Sequence, residues 1–315
     1  MRIAMVGAGG VAARHVRVLT GLGARVVAVA DAVAEAARRL AADCGGSAYP
    51  DVDAALDAQE VDAVYVCVPP FAHGTAERAV LGRGLPLFVE KPLSVDRDTA
   101  EALAEEVERA GVVTGTGYHW RCLDTVERAA RLLADSPARL AVGSWLDKVP
   151  PPAWWTSRDR SGGQVVEQLT HVLDLARLLV GELDEVWAAG SRAESSPGDV
   201  DDVTAVAARF RGGAVGTLAA SALLPAKRRA ELETVSADGL RLEVSEQRLV
   251  IERPGADPEV LTPAVNGHEA VDREFLDAVA GRRAGTRMPY GEALRTHLAG
   301  LAVAESAASG KPVTL

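Results

Sequence analysis

Only four of the 315 residues are lysine: Lys91, Lys148, Lys227 and Lys311. Lys91 follows the apolar run "PLFV" in "FVEKPLS", with Glu90 before it and Pro92 after it. An arginine would serve as a surface cation. A lysine at the end of a buried run offers a compact ammonium that can stabilise a developing negative charge or handle a proton. Taken alone it fits two readings, a snorkelling side chain at a strand end or an active-site amine. A second group bears on the choice. In "GGQVVEQLTHVLDLARLLVGE" most positions are apolar, yet Gln164, Glu167, His171 and Asp174 recur at spacings of three, four and three, on one face of a helix. Such a stripe either meets water or lines a cavity. A carboxylate one turn before a histidine orients the ring and raises its proton affinity, which suits a proton shuttle near neutral pH. Lys91, His171 and Glu167 are the candidate catalytic residues.

The chain opens with "RIAMVGAGGVA", a strand, a glycine turn and a helix start. Gly7, Gly9 and Gly10, with Val11 and Ala12, let the backbone approach a pyrophosphate, which would sit on the unpaired N–H groups of the helix. Asp31, 24 residues after Gly7, ends the next β run. It would accept hydrogen bonds from the adenosine ribose and repel a 2′-phosphate. Ala32 and Val33 follow it and no cation comes before Arg38, so NAD is preferred to NADP; Arg14, Arg38 and Arg39 could still fold back. In "VPPFAH", Val68, Pro69, Pro70 and His73 fall near the crevice where a switch point would hold the cofactor, with capping or packing the other reading of His73. Glu90 either holds the Lys91 ammonium or contacts the nicotinamide-side ribose.

These residues need a scaffold. Residues 2–117 alternate the nearly all-apolar runs "RIAMVG", "RVVAVAD", "VDAVYVCV", "LPLFVE" and "VVTGTG" with helical stretches over 11–22, 33–43, 72–83 and 96–110. That alternation predicts an α/β domain with a doubly wound parallel sheet, covered on both faces. From about residue 120 the pattern changes to a helix over 123–135, a Trp/Pro-rich loop, a helix over 163–180 and a series of strands joined by short turns. Two helices, over 268–280 and 291–309, close the chain. Consecutive strands of this kind make a large, mostly antiparallel sheet, so the second half is α+β. The expected domains are 1–120, binding a dinucleotide, and 121–315, binding substrate.

Composition narrows the function. A net charge of −10, without a basic run interleaved with aromatics, argues against nucleic acid as a partner. No window approaches the ~18 apolar residues of a membrane span, and the first residues read as a strand rather than a signal peptide. Cys44, Cys67 and Cys122 have no CxxC or Cys/His ligand spacing, which argues against a disulfide framework and against structural zinc, and no metal is expected. A cytoplasmic protein is expected.

Together "GAGGVA" with Asp31, "VPPFAH", "EKP", "GYHWR", the "SGGQ" helix with its histidine and aspartate, and the terminal "SGKPVTL" resemble the Gfo/Idh/MocA oxidoreductases over essentially the full length. This is the family of glucose-fructose oxidoreductase and the inositol dehydrogenases. The resemblance implies an NAD(P)-binding Rossmann domain and a homodimer or homotetramer formed through the C-terminal sheet. It also implies that Lys91 and His171 sit beside the nicotinamide and the substrate carbon. The expected reaction is hydride transfer between the nicotinamide and a secondary alcohol or ketone of a sugar, cyclitol or related polyol. His171 would take the hydroxyl proton and Lys91 would stabilise the alkoxide. His119, Trp120, Arg121, Trp154, Trp155 and Asp174 are expected to select substrate, through aromatic faces and a guanidinium fork. Two positions depart from the family pattern: Glu167 replaces the usual aspartate, displacing the carboxylate by about a bond length, and Val68 replaces a threonine. Two other readings of the fold stand beside this one, NAD-assisted glycoside cleavage without net oxidation and a non-enzymatic NAD-binding regulator.

Overall fold

The computed structural model describes every residue from Met1 to Leu315. The first elements alternate: β1 (Arg2–Val6), α1 (Gly10–Gly21), β2 (Arg25–Ala30), α2 (Ala34–Cys44), β3 (Ser47–Tyr49), α3 (Val52–Ala58), β4 (Ala63–Val66), α4 (Thr75–Leu81), β5 (Leu87–Val89), α5 (Arg97–Ala110) and β6 (Thr114–Thr116). There follow α6 (Asp124–Asp135), β7 (Ala138–Leu146), a short α7 (Arg158–Ser161) and α8 (Thr170–Leu179). Seven strands come next: β8 (Leu183–Ser191), β9 (Val203–Phe210), β10 (Val215–Ser221), β11 (Arg229–Ser236), β12 (Arg241–Ser245), β13 (Leu249–Glu252) and β14 (Glu259–Leu261). Helices α9 (Gly267–Val279) and α10 (Tyr290–Ser309) and the short β15 (Val313–Thr314) complete the chain. No helix is long and apolar enough to cross a membrane.

The chain forms two compact units, Met1–His119 with His268–Leu294, and Trp120–Gly267 with Arg295–Leu315. The linear division into 1–120 and 121–315 is therefore corrected near the C-terminus, where residues 268–294 belong with the first unit. The reason lies in the packing. Tyr65 on β4 and Phe88 on β5 are neighbours in register and stack with centroids 4.6 Å apart. Phe275 of α9 packs edge-on against both, at 5.4 and 5.5 Å. Gly115, beside Phe88 in register, makes the room: a Cβ there would lie 3.0 Å from the Phe275 ring.

The six strands of the first unit are all parallel, in the order β3-β2-β1-β4-β5-β6. Their apolar runs are buried because helices cover both faces. Two elements escaped the sequence reading. β3 is a three-residue edge strand with no β-branched run, and α3 is short, announced only by Asp51, whose side chain accepts a hydrogen bond from the Ala54 N–H.

The second unit is built on nine strands, in the order β14-β13-β12-β11-β7-β10-β9-β8-β15. β7 and β10 are parallel and every other pair is antiparallel. Along β9 the inward Thr204, Val206, Ala208 and Phe210 alternate with outward positions, as a sheet with one buried face requires. α8 lies close on the buried face: a Cβ on Gly143 would come within 2.6 Å of Val172 and of Leu218. The helix expected over 163–180 is not uniform, since Val165–Leu169 winds as a π-turn before α8 begins. π-Turns within helices are frequent at functional sites.

Candidate active site

The sequence-marked residues fall in both units and are described unit by unit. In the first, Gly7 follows β1, Asp31 follows β2, Val68, Pro69 and Pro70 follow β4, and Glu90 and Lys91 follow β5, all at the carboxyl edge of one parallel sheet. That edge is where open α/β sheets bind ligands, at the point where the strand order reverses, here between β1 and β4. Gly7 has φ of +94°, and a Cβ on it would lie 2.3 Å from the Cys67 carbonyl oxygen, so no other residue fits. Gly9 and Gly10 differ: a Cβ on either meets no atom within 4 Å, leaving open space above the turn. α1 starts there with no side-chain cap and no acidic residue in its first turn, which leaves its N–H groups for an anion. Val11 is half-exposed while Ala12 is fully buried, so the helix can pack close to the sheet.

Asp31 ties the turn to β2. One carboxylate oxygen accepts from the Ala8 N–H at 2.8 Å and the other from the Val33 N–H at 2.7 Å, and each keeps a lone pair for a ribose hydroxyl. Of the cations that could have met a 2′-phosphate, Arg14 reaches Glu90 at 3.3 Å and Arg38 pairs with Glu35 at 2.8 Å. The open glycine cradle, the uncapped helix and the aspartate fit NAD.

His73 is buried, its Nδ1 is 2.6 Å from Glu77, and the second Glu77 oxygen accepts from the Gly74 N–H at 2.7 Å. Burial would raise the Glu77 pKa, but His73 and the N–H outweigh it and hold the carboxyl below its usual range. His73 thus anchors the start of α4 through Nδ1. Glu90 is likewise buried; it accepts from the backbone N–H of Lys91 at 3.0 Å, with its other oxygen 2.9 Å from Nε2 of His15. It holds the backbone where the chain leaves the strand. His119, expected to face substrate, stacks on the ring of His268 with centroids 3.8 Å apart. Lys91 itself is half-buried, and the peptide joining it to Pro92 is cis.

In the second unit His171 is buried in a cluster of three nearly parallel rings, 5.8 Å from Trp120 and 5.5 Å from Trp145. Lys227 places its ammonium 4.1 Å from the Trp145 centroid, a cation–π contact. The sequence reading missed Trp145 and Lys227; the signal for Trp145 was an aromatic in mid-strand at the register of Ala220 and Ala230.

The polar stripe resolves into separate tasks. Gln164 is buried and donates to Gln168 at 3.0 Å, while Glu167 is half-buried. Asp174 is buried and accepts two hydrogen bonds of 2.8 Å from Nε and Nη2 of Arg121, and a third of 2.8 Å from the Thr296 hydroxyl. Arg121 and Asp174, expected to bind substrate, turn these atoms on each other and clamp the segment after His119 to α8. Trp155 is also a correction: at 1% exposure it packs with Val200 and Ala222 and anchors its loop, with Trp154 half-buried against the same cluster.

Comparison with known proteins agrees with this fold. The Gfo/Idh/MocA model described as an oxidoreductase family with an NAD-binding Rossmann fold matches residues 1–118, and the family's C-terminal domain matches residues 138–244. A myo-inositol dehydrogenase of Streptomyces leeuwenhoekii is 31% identical over 98% of both chains. A myo-inositol 2-dehydrogenase of Thermotoga maritima is 29% identical over 69% of this chain and 67% of its own. Levoglucosan dehydrogenase, solved with NADH and levoglucosan, shares the fold with a TM-score of 0.90 at 19% identity, covering 100% of this chain and 99% of its own. The chain belongs to the Gfo/Idh/MocA family of oxidoreductases.

Proposed function

We propose that this chain is an NAD-dependent dehydrogenase acting on a secondary alcohol of a sugar, cyclitol or related polyol. One observation carries the reading: Lys91 follows β5 at the ligand-binding edge of an NAD-type sheet, its backbone N–H held by a buried glutamate, where the resemblance to the family implies a lysine beside the reacting carbon. The names of the inositol dehydrogenases similar to this chain support the substrate class. NAD supplies the hydride acceptor when bound. Gly7, Gly9, Gly10 and Asp31 hold its pyrophosphate and adenosine ribose. His171 takes the proton of the substrate hydroxyl, and Lys91 stabilises the alkoxide by a charge-assisted hydrogen bond. In the reverse direction His171 returns the proton and Lys91 polarises the carbonyl.

Self-association through the nine-stranded sheet belongs to the same proposal. Its outward face carries exposed Leu140, Val142, Trp187 and Val215, apolar area that a second copy would cover. No disulfide joins the three cysteines, and work in the cytoplasm belongs to the same proposal.

The test is absorbance at 340 nm with NAD or NADP and a panel of cyclitols, aldoses and glycosides. NADH formation from a cyclitol or sugar is the expected result. Release of aglycone from glycosides without NADH accumulation would move the chain to redox-assisted cleavage, and silence with every compound would favour a regulator.

A further inference from the structure

His15 lies on the buried face of α1 with Ala12, Val16 and Leu19, and is 1% exposed. A lone histidine in an apolar stripe is ordinarily a packing residue, but here carboxylates take both ring nitrogens. Nδ1 is 2.8 and 2.9 Å from the two oxygens of Asp272 on α9, and Nε2 is 2.9 Å from Oε1 of Glu90. Oε2 of Glu90 accepts from the backbone N–H of Lys91 at 3.0 Å. Space around the glutamate is closed as well, since a Cβ on Gly117 would fall 2.3 Å from the same Oε2. Tyr65 and Phe88 wall the imidazole at 5.4 and 5.2 Å between centroids.

Taking such charges out of water costs several kcal/mol per ion, and apolar residues would fill the same volume without that penalty. Burial alone would strip the proton from His15, but Asp272 and Glu90 outweigh it and lift its pKa to about 9. Burial opposes ionisation of Glu90 too, yet His15, Arg14 and Lys91 draw its pKa down to about 2. At neutral pH the ring is a cation that donates through both nitrogens, and Glu90 is purely an acceptor.

We propose that His15 and Asp272 are positioning residues for Lys91: Asp272 fixes the imidazole, the imidazole fixes Glu90, and Glu90 fixes the backbone of Lys91 where it leaves β5. The inference rests on the reading of Lys91 as the active-site amine. It gives the C-terminal segment a task in the chemistry, because α9 brings Asp272 to the first unit from 257 positions away.

With four lysines in the chain, protein labelled with ¹⁵N-lysine gives four backbone amide signals, and Lys91→Arg identifies that of Lys91 by its disappearance. In the wild-type protein the Lys91 signal should follow a titration near pH 9 as His15 loses its proton. The other groups facing the ring are Asp272, Glu90, Arg14 and Tyr65; Tyr65 and the nearby Cys67 are pushed well above their usual pKa by burial and stay neutral in this range. His15→Gln should abolish the titration, and Asp272→Asn, which keeps the volume and removes a charge, should move it to lower pH. The signals of Lys148, Lys227 and Lys311 should hold their positions in both variants and report an intact fold. A packing role alone would move none of these midpoints. If His15→Gln does not fold, Asp272→Asn carries the test. A Lys91 amide that shows no titration, or one that Asp272→Asn leaves in place, overturns the proposal. The signals are recorded without substrate, so failure here is distinct from failure of the dehydrogenase reading, which appears as an active Lys91→Ala protein.

Discussion

The guanidinium of Arg121 meets the carboxylate of Asp174 in two hydrogen bonds of 2.8 Å, with both residues buried. Removing one member of such a pair leaves an uncompensated buried charge, at a cost of roughly 3–5 kcal/mol. Asp174→Ala should lower stability by about that much in urea denaturation. Arg121→Met combined with Asp174→Leu should recover more than half of the loss, because neither charge then remains. If Asp174→Ala left stability unchanged and only raised KM, the pair would be a substrate site after all.

Stability should also depend on pH through His15. Its folded pKa is raised from 6.5 to about 9, so the stabilisation is complete below 6.5 and is lost as pH climbs through about 9. Asp272 acts in the opposite sense, since burial raises its pKa and its ionisation opposes folding. Thermal melts of the wild-type protein should therefore weaken between pH 6.5 and 9, by an amount on the order of a few kcal/mol, and His15→Gln should flatten the slope. A flat wild-type profile would contradict the charged imidazole.

The glycine turn gives a paired prediction. Gly7→Ala places a Cβ against the Cys67 carbonyl at a φ of +94°, and should destabilise the protein by several kcal/mol whether or not NAD is present. Gly9→Ala meets no protein atom, so its melting temperature should match the wild type, while its Cβ occupies the space a pyrophosphate needs. NAD titrations followed by tryptophan fluorescence should give a Kd raised roughly tenfold, the 1.4 kcal/mol expected of a modest clash. Unchanged affinity in Gly9→Ala would place the cofactor elsewhere.

What the sequence disclosed follows from how buried each feature is. The strands "RIAMV", "AVYV" and "LFV" were legible because a strand covered on both faces must be apolar throughout, whereas the edge strand "SAY" has no such constraint. The polar stripe on the α8 stretch was legible as a pattern and ambiguous in meaning: Asp174 paired with Arg121 and a histidine set among rings leave the same trace in the spacing. Asp272 left no trace of its partner, since the apolar periodicity of α9 says that the helix is buried and not against what. His15 is the one polar member of the buried face of α1, and nothing near it in the sequence marks its task, because its two carboxylates lie 75 and 257 positions away.

The chemical step itself yields the last prediction. A positioned proton acceptor contributes about 10²–10⁴-fold to rate, so His171→Asn should lower kcat by that range once an alcohol substrate is in hand. The imidazole packs beside two indoles, so the controls must separate loss of the proton acceptor from a disturbed ring cluster. Trp145→Phe retains an aromatic ring beside His171 while removing the Lys227 contact to the indole, and should cost far less than His171→Asn. Lys91→Ala should lower kcat with little effect on NAD affinity, because the groups that hold the nucleotide are Gly7, Gly9, Gly10 and Asp31. Lys91→Arg should fail to restore the rate, since a planar fork cannot replace a compact ammonium on the reacting oxygen. Wild-type turnover in either Lys91→Ala or His171→Asn would remove that residue from the reaction.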